Sequence, residues 1–256
     1  RIGDFKSDTV DITVSENNFI NQIQWLNKNH NIISLSKIYE CLIARKHLPK
    51  KSIVITFDDG YQSYHSTIDY LNKHEIPATF FICNPTFNNK YFYWDILNYL
   101  LIDQKEINKE NLEFLLDLCK SEKINIKPEP VLDDATYANT LNWKINSNKF
   151  PSKRCMVFEL LANKAEYDNG NLRSSILNKI YSRDYTLDKD KAIFIPKNLS
   201  DVGKYVNGSH TLNHYCLSSL NKEEQEHEIL DNKKFLEDMF GKTIQFFAYP
   251  FGSQKH

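Results

Sequence analysis

Four side chains in two short segments could do chemistry together. Thr56-Phe57-Asp58-Asp59-Gly60 sets two carboxylates side by side, after an isoleucine- and valine-rich run and just before a glycine. Ser209-His210-Thr211-Leu212-Asn213-His214 supplies two imidazoles four residues apart. Successive strand side chains point to opposite faces, so neighbouring acids reach one site only where a strand ends and the backbone bends. The two acids would then have different jobs. Two histidines and one carboxylate are a usual ligand set for a catalytic zinc, with a fourth position left for water. A cation held in this way lowers the pKa of its water toward about 7, and a spare carboxylate beside it can take the proton. Each segment also has a plainer account. Carboxylates at a helix N-terminus stabilise its dipole and cap its amides, and two histidines can lie at this spacing by chance on a solvated surface. If they share a site, the spacing of four suits one face of a helical turn.

Other spacings fail when their chemistry is demanded. Gly203 to Gly208 has the interval of a phosphate-binding loop, but Ser209-His210 follows where lysine and a hydroxyl residue are required. His227-Glu228 begins like a metalloprotease helix, yet Asp231 stands where the second histidine belongs. No Gly-x-Ser-x-Gly segment exists to present a serine nucleophile.

The elements that must position the four residues can be read from periodicity. Ser52 to Phe57 reads as a buried strand, Tyr61 to His74 as a helix with Tyr64, Ile68 and Leu71 on one face, and Ala78 to Cys83 as a second strand after Pro77. This predicts a right-handed strand-helix-strand unit with parallel strands. Upstream, Ser15 is placed to cap a helix bearing Phe19, Ile23 and Leu26, and Ser36 one bearing Tyr39 and Leu42, with Ile32-Ile33 a short apolar step between them. Downstream, Asn221 and Glu224 form a capping pair for a helix with Ile229, Leu236 and Phe240 on one face, ended by Gly241. Thr243 to Tyr249 then reads as a strand closed by Pro250 and Gly252. The alternation predicts an α/β fold, as layers or a barrel. Residues 86–200 break the rhythm with helix-like stretches at 95–101, 111–120 and 157–166, and read as a mainly helical insertion within a single domain spanning 1–256. Its Tyr91-Phe92-Tyr93-Trp94 cluster reads as a packing anchor, with stacking on a sugar ring as the alternative.

Composition narrows the partners. Thirty-two basic residues face thirty-three acidic ones, so no field of one sign draws in nucleic acid or an anionic membrane. No run approaches the roughly 18 apolar residues of a membrane span. Five scattered cysteines without a Cys-x-x-Cys pair read as buried free thiols of a reducing, cytoplasmic setting. The sequence starts at Arg1 rather than methionine, which leaves room for an upstream targeting segment.

The two chemical segments resemble the polysaccharide deacetylases, carbohydrate esterase family 4. Thr-Phe-Asp-Asp-Gly is similar to the first motif of that family and His210-Thr-x-x-His214 to the second, His-Ser/Thr-x-x-His. Ile76-Pro77-Ala78-Thr79-Phe80-Phe81 and Phe247-Ala248-Tyr249-Pro250-Phe251-Gly252 extend the likeness, and the long insertion resembles members tied to bacterial surface-polysaccharide loci. The resemblance implies a deformed (β/α) barrel of about seven strands, with Asp58 as general base and Asp59, His210 and His214 holding one divalent ion, zinc being expected. It implies a metal-dependent hydrolase that removes N-acetyl groups from an amino sugar, with Tyr249, Pro250 and Phe251 at the substrate and the Phe251 amide toward the oxyanion. The same metal site would also suit a deformylase or another small-amide hydrolase. Two departures stand out. Ala248 and Phe251 replace the arginine and tyrosine of Arg-x-Pro-Tyr, and the later motif with an acid histidine has no counterpart before His256. They point to a chain incomplete at its C-terminus, or to a non-catalytic carbohydrate-binding module.

Overall fold

The computed structural model describes residues 1–83, 91–106, 108–126, 134–147, 149–168, 170–181 and 202–252. The expected insertion boundaries and His256 lie outside these residues. The chain divides into two compact units, one made of residues 1–3, 14–90 and 192–256, the other of 4–13 and 91–191.

The first unit is α/β with parallel strands. Helix α1 (Glu16–Asn29) starts at Ser15, whose hydroxyl accepts the Asn18 amide, and it buries Phe19 and Ile23. Strand β1 (Asn31–Ile32) pairs in parallel with β2 (Ser52–Ile53). Between them lies α2 (Leu35–Ile43), capped by Ser34 rather than by Ser36, because the Ser34 hydroxyl is the one that meets the Lys37 amide three residues on. The apolar face expected there is largely solvated: Cys41 is buried, whereas Tyr39 and Leu42 are exposed.

The single strand expected over 52–57 is two. The Ile53 carbonyl accepts from Ile33 on the β1 side, while the Ile55 carbonyl accepts from Thr79 in the neighbouring sheet. The chain therefore changes partners between them, and β3 (Thr56–Phe57) begins a four-stranded sheet. Helix α3 (Tyr64–Lys73) follows, with Tyr64, Ile68 and Leu71 buried as their spacing requires. All four residues of β4 (Thr79–Ile82) are buried, as befits a parallel strand covered on both faces.

The sheet runs β3-β4-β5-β6 in spatial as in sequence order, with every pairing parallel; β5 is Val206–Ser209 and β6 Phe246–Phe247. Gly208 is required in β5, because a Cβ there would stand 2.2 Å from the Phe81 ring across the ladder. The strand expected over 243–249 shortens to β6, flanked by ladder-like bonds from Gln245 to Asn207 and from Ala248 to Ser209.

The second unit is helical: α4 (Tyr93–Asn98) runs into a π-helical turn at Tyr99–Asp103, and α5 (Lys109–Ser121), α6 (Asp134–Leu141), α7 (Lys153–Glu166) and α8 (Asn171–Tyr181) follow. Leu97, Leu101, Leu115, Phe158 and Leu161 form its core. Segment 4–13 is tied in by polar contacts: Ser7 donates to Asp103 Oδ1 at 2.5 Å and accepts from Asn98 Nδ2 at 2.6 Å. Phe92, Tyr93 and Trp94 are buried, with the Phe92 and Trp94 rings stacked at 4.4 Å, which is the packing role.

The last helix among the described residues, α9 (Lys222–Phe240), has the capping box of Asn221 and Glu224 and ends at Gly241 with φ 62°. Its buried stripe is Glu228, Asn232 and Leu236. Leu236 was expected, but Ile229 and Phe240 are only half-buried beside two polar residues. No helix among the described residues is long and apolar enough to cross a membrane.

Candidate metal centre

The first acidic segment is fixed by aromatic packing. The Phe57 ring stacks on Phe80 at 4.5 Å and meets Tyr64 at 5.4 Å and Phe19 at 6.0 Å. Such pairs contribute roughly 0.5–1.5 kcal/mol each beyond burial, so the strand end that delivers Asp58 is held firmly. Asp59 and Gly60 then take φ 74° and 95°, two left-handed residues in succession, and the chain turns sharply. Aspartate tolerates that region better than most side chains. A side chain at Gly60 would also press on Ile82, 3.2 Å away. The turn is pinned through its carbonyls. Asp58 O accepts from Gly60 N–H at 2.9 Å and from the Tyr64 hydroxyl at 3.0 Å, and Asp59 O accepts from the Cys83 thiol at 2.9 Å.

The histidines come from the loop after β5. His210 donates its amide to Ile82 O at 3.1 Å, and its Nδ1 meets Ala248 O at 2.9 Å. With the Nδ1 proton on that carbonyl, Nε2 is left as the free donor atom. Contrary to the helical turn expected from the spacing, Thr211 and His214 have φ 65° and 55°, and the segment is a loop. Left-handed residues cannot continue a right-handed helix. The His214 ring packs edge-on against Phe251 at 4.9 Å.

These two turns bring Asp59, His210 and His214 together. His210 Nε2 lies 3.3 Å and His214 Nε2 3.2 Å from the same oxygen, Asp59 Oδ1. All three donor atoms fall within 4.8 Å of one another, as a group that could hold a metal ion. Two ligand atoms on a tetrahedral ion, each at about 2.05 Å, stand about 3.3 Å apart, so the observed spacings fit a cation of that size. Nitrogen and oxygen donors suit zinc and several other first-row ions.

The electrostatics agree with a site built for positive charge. Burial opposes ionisation of Asp59, but hydrogen bonds and charge from the two histidines outweigh it and hold the carboxyl far below the ordinary aspartate value. Burial likewise disfavours a charged His210, and its contacts with Asp59 more than reverse this and raise its pKa. Asp58 differs from its neighbour in being solvent-exposed, and partial desolvation by the surrounding protein raises its pKa against the pull of His210. The adjacent acids therefore occupy unlike environments.

Among the other residues singled out in the sequence, Tyr249 is exposed with its ring against Phe247 at 5.0 Å, Pro250 is buried, and Phe251 takes φ 66° beside His214. Ala248 contributes its backbone, whose carbonyl orients His210. Sequence reasoning missed Glu228 and Asn232. Glu228 accepts from the Asn213 amide at 2.7 Å and its side chain at 2.6 Å, and Asn232 donates to Ile82 O at 2.7 Å and Ser209 Oγ at 2.8 Å. Their spacing of four on α9 was the available signal, lost in a run of charged residues.

A model of the polysaccharide deacetylase family matches residues 45–111 and 195–256, together half of the chain. The chain belongs to that family. A stretch of 48 residues is 42% identical to the poly-beta-1,6-N-acetyl-D-glucosamine N-deacetylase of Escherichia coli strain K12, covering 18% of this chain and 7% of that relative. Among solved structures, a Streptococcus pyogenes deacetylase in complex with acetate is similar over 98% of this chain and 71% of its own, with 14% identity and a TM-score of 0.45. A de-N-acetylase from Aggregatibacter actinomycetemcomitans is similar over 98% and 77%, with 14% identity and a TM-score of 0.47. The matched segments contain Asp59, His210 and His214, the residues of the cluster.

Proposed function

We propose that the protein is a metal-dependent hydrolase that removes the N-acetyl group from an amino sugar of a surface polysaccharide or its precursor. The observation that carries this is the convergence of His210 and His214 on one oxygen of Asp59, with a second carboxylate, Asp58, next to it in the chain. Membership of the polysaccharide deacetylase family supports it.

Asp59, His210 and His214 would hold one divalent ion, with zinc the best match to the donor set. When bound, such an ion polarises a carbonyl and makes water acidic enough to ionise near neutral pH. Asp58 takes the proton from the attacking water as its oxygen adds to the acetyl carbon. The Phe251 N–H serves the developing oxyanion, and Tyr249 and Pro250 border the sugar. The C–N bond then breaks, the amine leaves with the proton that Asp58 took from the water, and acetate remains. The wider reading is a deformed (β/α) barrel of about seven strands in one catalytic domain, carrying the 86–200 insertion and working in the cytoplasm. The ordered parallel sheet and the five free, buried cysteines support it.

Metal analysis of the purified protein and acetate release from a panel of N-acetyl sugars test the proposal. Release of acetate that chelation stops and zinc restores is the expected result. Formate from an N-formyl sugar instead would assign a deformylase, and a chain that binds metal but releases neither acid would be a binding module.

A further inference from the structure

Glu228 is 2% exposed, at the head of the polar stripe by which α9 faces the β5 end of the sheet. A buried carboxylate is costly unless its oxygens are satisfied, and here both are given to one residue. Oε2 accepts the Asn213 backbone amide at 2.7 Å and Oε1 accepts its side-chain amide at 2.6 Å. The backbone carbonyl of the same residue accepts the Leu212 amide at 2.9 Å. Three contacts from a single helical residue thus grip the two residues between Thr211 and His214. Both flanking residues are left-handed, and Thr211 is β-branched, fully buried and has a hydroxyl with no hydrogen-bond partner among the described residues. Such backbone persists only where its surroundings over-determine it. The Thr211 side chain supplies no such hold, and Glu228 does. Four residues further, Asn232 fixes Ser209 and the carbonyl that also receives the His210 amide, so α9 braces both ends of the histidine segment.

We propose that Glu228 is a positioning residue that clamps Leu212 and Asn213 so that both imidazoles face Asp59, and that it thereby sets the affinity of the site for its ion. This rests on the reading of Asp59, His210 and His214 as a metal site. Partners that orient metal ligands typically matter by about 10–100-fold in metal affinity.

The test is chelator competition for zinc, with the visible spectrum of the cobalt(II)-loaded protein as a report on ligand geometry. The parent, E228A, E228Q and N213A are compared after circular dichroism has shown each to be folded. Glu228→Ala is expected to lose about 10–100-fold in zinc affinity and to alter the cobalt spectrum. Glu228→Gln should stay near the parent, because a flipped Asn213 amide restores both hydrogen bonds. Asn213→Ala, which keeps the backbone contact, should fall between them and decides the matter if Glu228→Ala does not fold. Parent-like affinity and spectrum in Glu228→Ala, or in Asn213→Ala where that variant decides, overturns the clamp. A parent that binds neither metal fails at the earlier step and removes the metal site with it.

Discussion

His214 Nε2 stands 3.2 Å from Asp59 Oδ1, although 155 positions apart in the sequence separate Asp59 from His214. Both residues are left-handed, with φ 55° and 74°. Each is therefore delivered by a sharp turn at the end of a parallel strand, which is where α/β sheets gather their ligands. Pinning of the turns through Cys83, Tyr64 and Glu228 keeps the two donors at this separation, although neither donor itself lies on a helix.

Asp59 is shared by both histidines, so its removal is expected to abolish metal binding rather than weaken it. In the parent, zinc at 100 times its dissociation constant should stabilise the fold by about 2.7 kcal/mol. Thermal melts with and without zinc check this: the parent's midpoint rises with zinc and that of Asp59→Ala does not. An equal rise in the variant would take Asp59 out of the site.

Asp58 lies outside the three-residue cluster that could hold the ion, and the role proposed for it is proton transfer. Asp58→Asn keeps the size and loses the basicity. We expect zinc content equal to the parent and acetate release lower by about 10²–10⁴-fold. Metal analysis beside a turnover assay separates the two effects, and near-parental turnover would assign the base elsewhere.

Much of this site was legible before the fold. Asp58-Asp59-Gly60 could be placed at a strand end because an apolar run met a glycine, and the glycine does take φ 95°. Asn221, Glu224 and Gly241 announced α9 because capping is local chemistry. What resisted were features decided by partners remote in sequence. The break between Ile53 and Thr56 reflects a change of sheet that no run of apolar residues encodes. The histidine spacing suited a helix, but the contacts from α9 select a loop with two left-handed residues. Glu228 lies among Glu223, Glu224 and Glu226, nothing in its type sets it apart from them, and only the fold shows that it is buried.

The burial of Glu228 gives a dependence on pH with a definite sign. Burial raises its pKa above the ordinary glutamate value of 4.5, against the hydrogen bonds from Asn213. A raised value means that the folded state binds the proton more tightly than the unfolded state. The resulting stability is fully present below 4.5 and is lost as the pH rises through the folded value. Glutamine does not titrate, so Glu228→Gln should gain stability relative to the parent across that interval. Denaturant midpoints of the two metal-free proteins from pH 4 to pH 7 measure it, and a difference that is flat with pH would contradict the assignment.

The close approach of β4 to β5 makes Gly208 a sharper probe of the scaffold than of the chemistry. A Cβ at this position would be 2.2 Å from Phe81 Cδ1 and 2.5 Å from Cε1, and the ring lies in a fully covered strand with little room to withdraw. Forcing a methyl group into a packed core typically costs about 1–3 kcal/mol, and here the shift falls on the strand that ends one residue before His210. Gly208→Ala should therefore lower both the unfolding free energy and the affinity for zinc. Gly203→Ala is the control, since among the described residues its Cβ would meet Phe240 Cδ1 at 3.3 Å, the edge of a half-buried side chain that can move. Urea unfolding and zinc titration of both variants check the pair, and equal behaviour of the two would show that the Phe81 contact does not govern the position of the histidine loop.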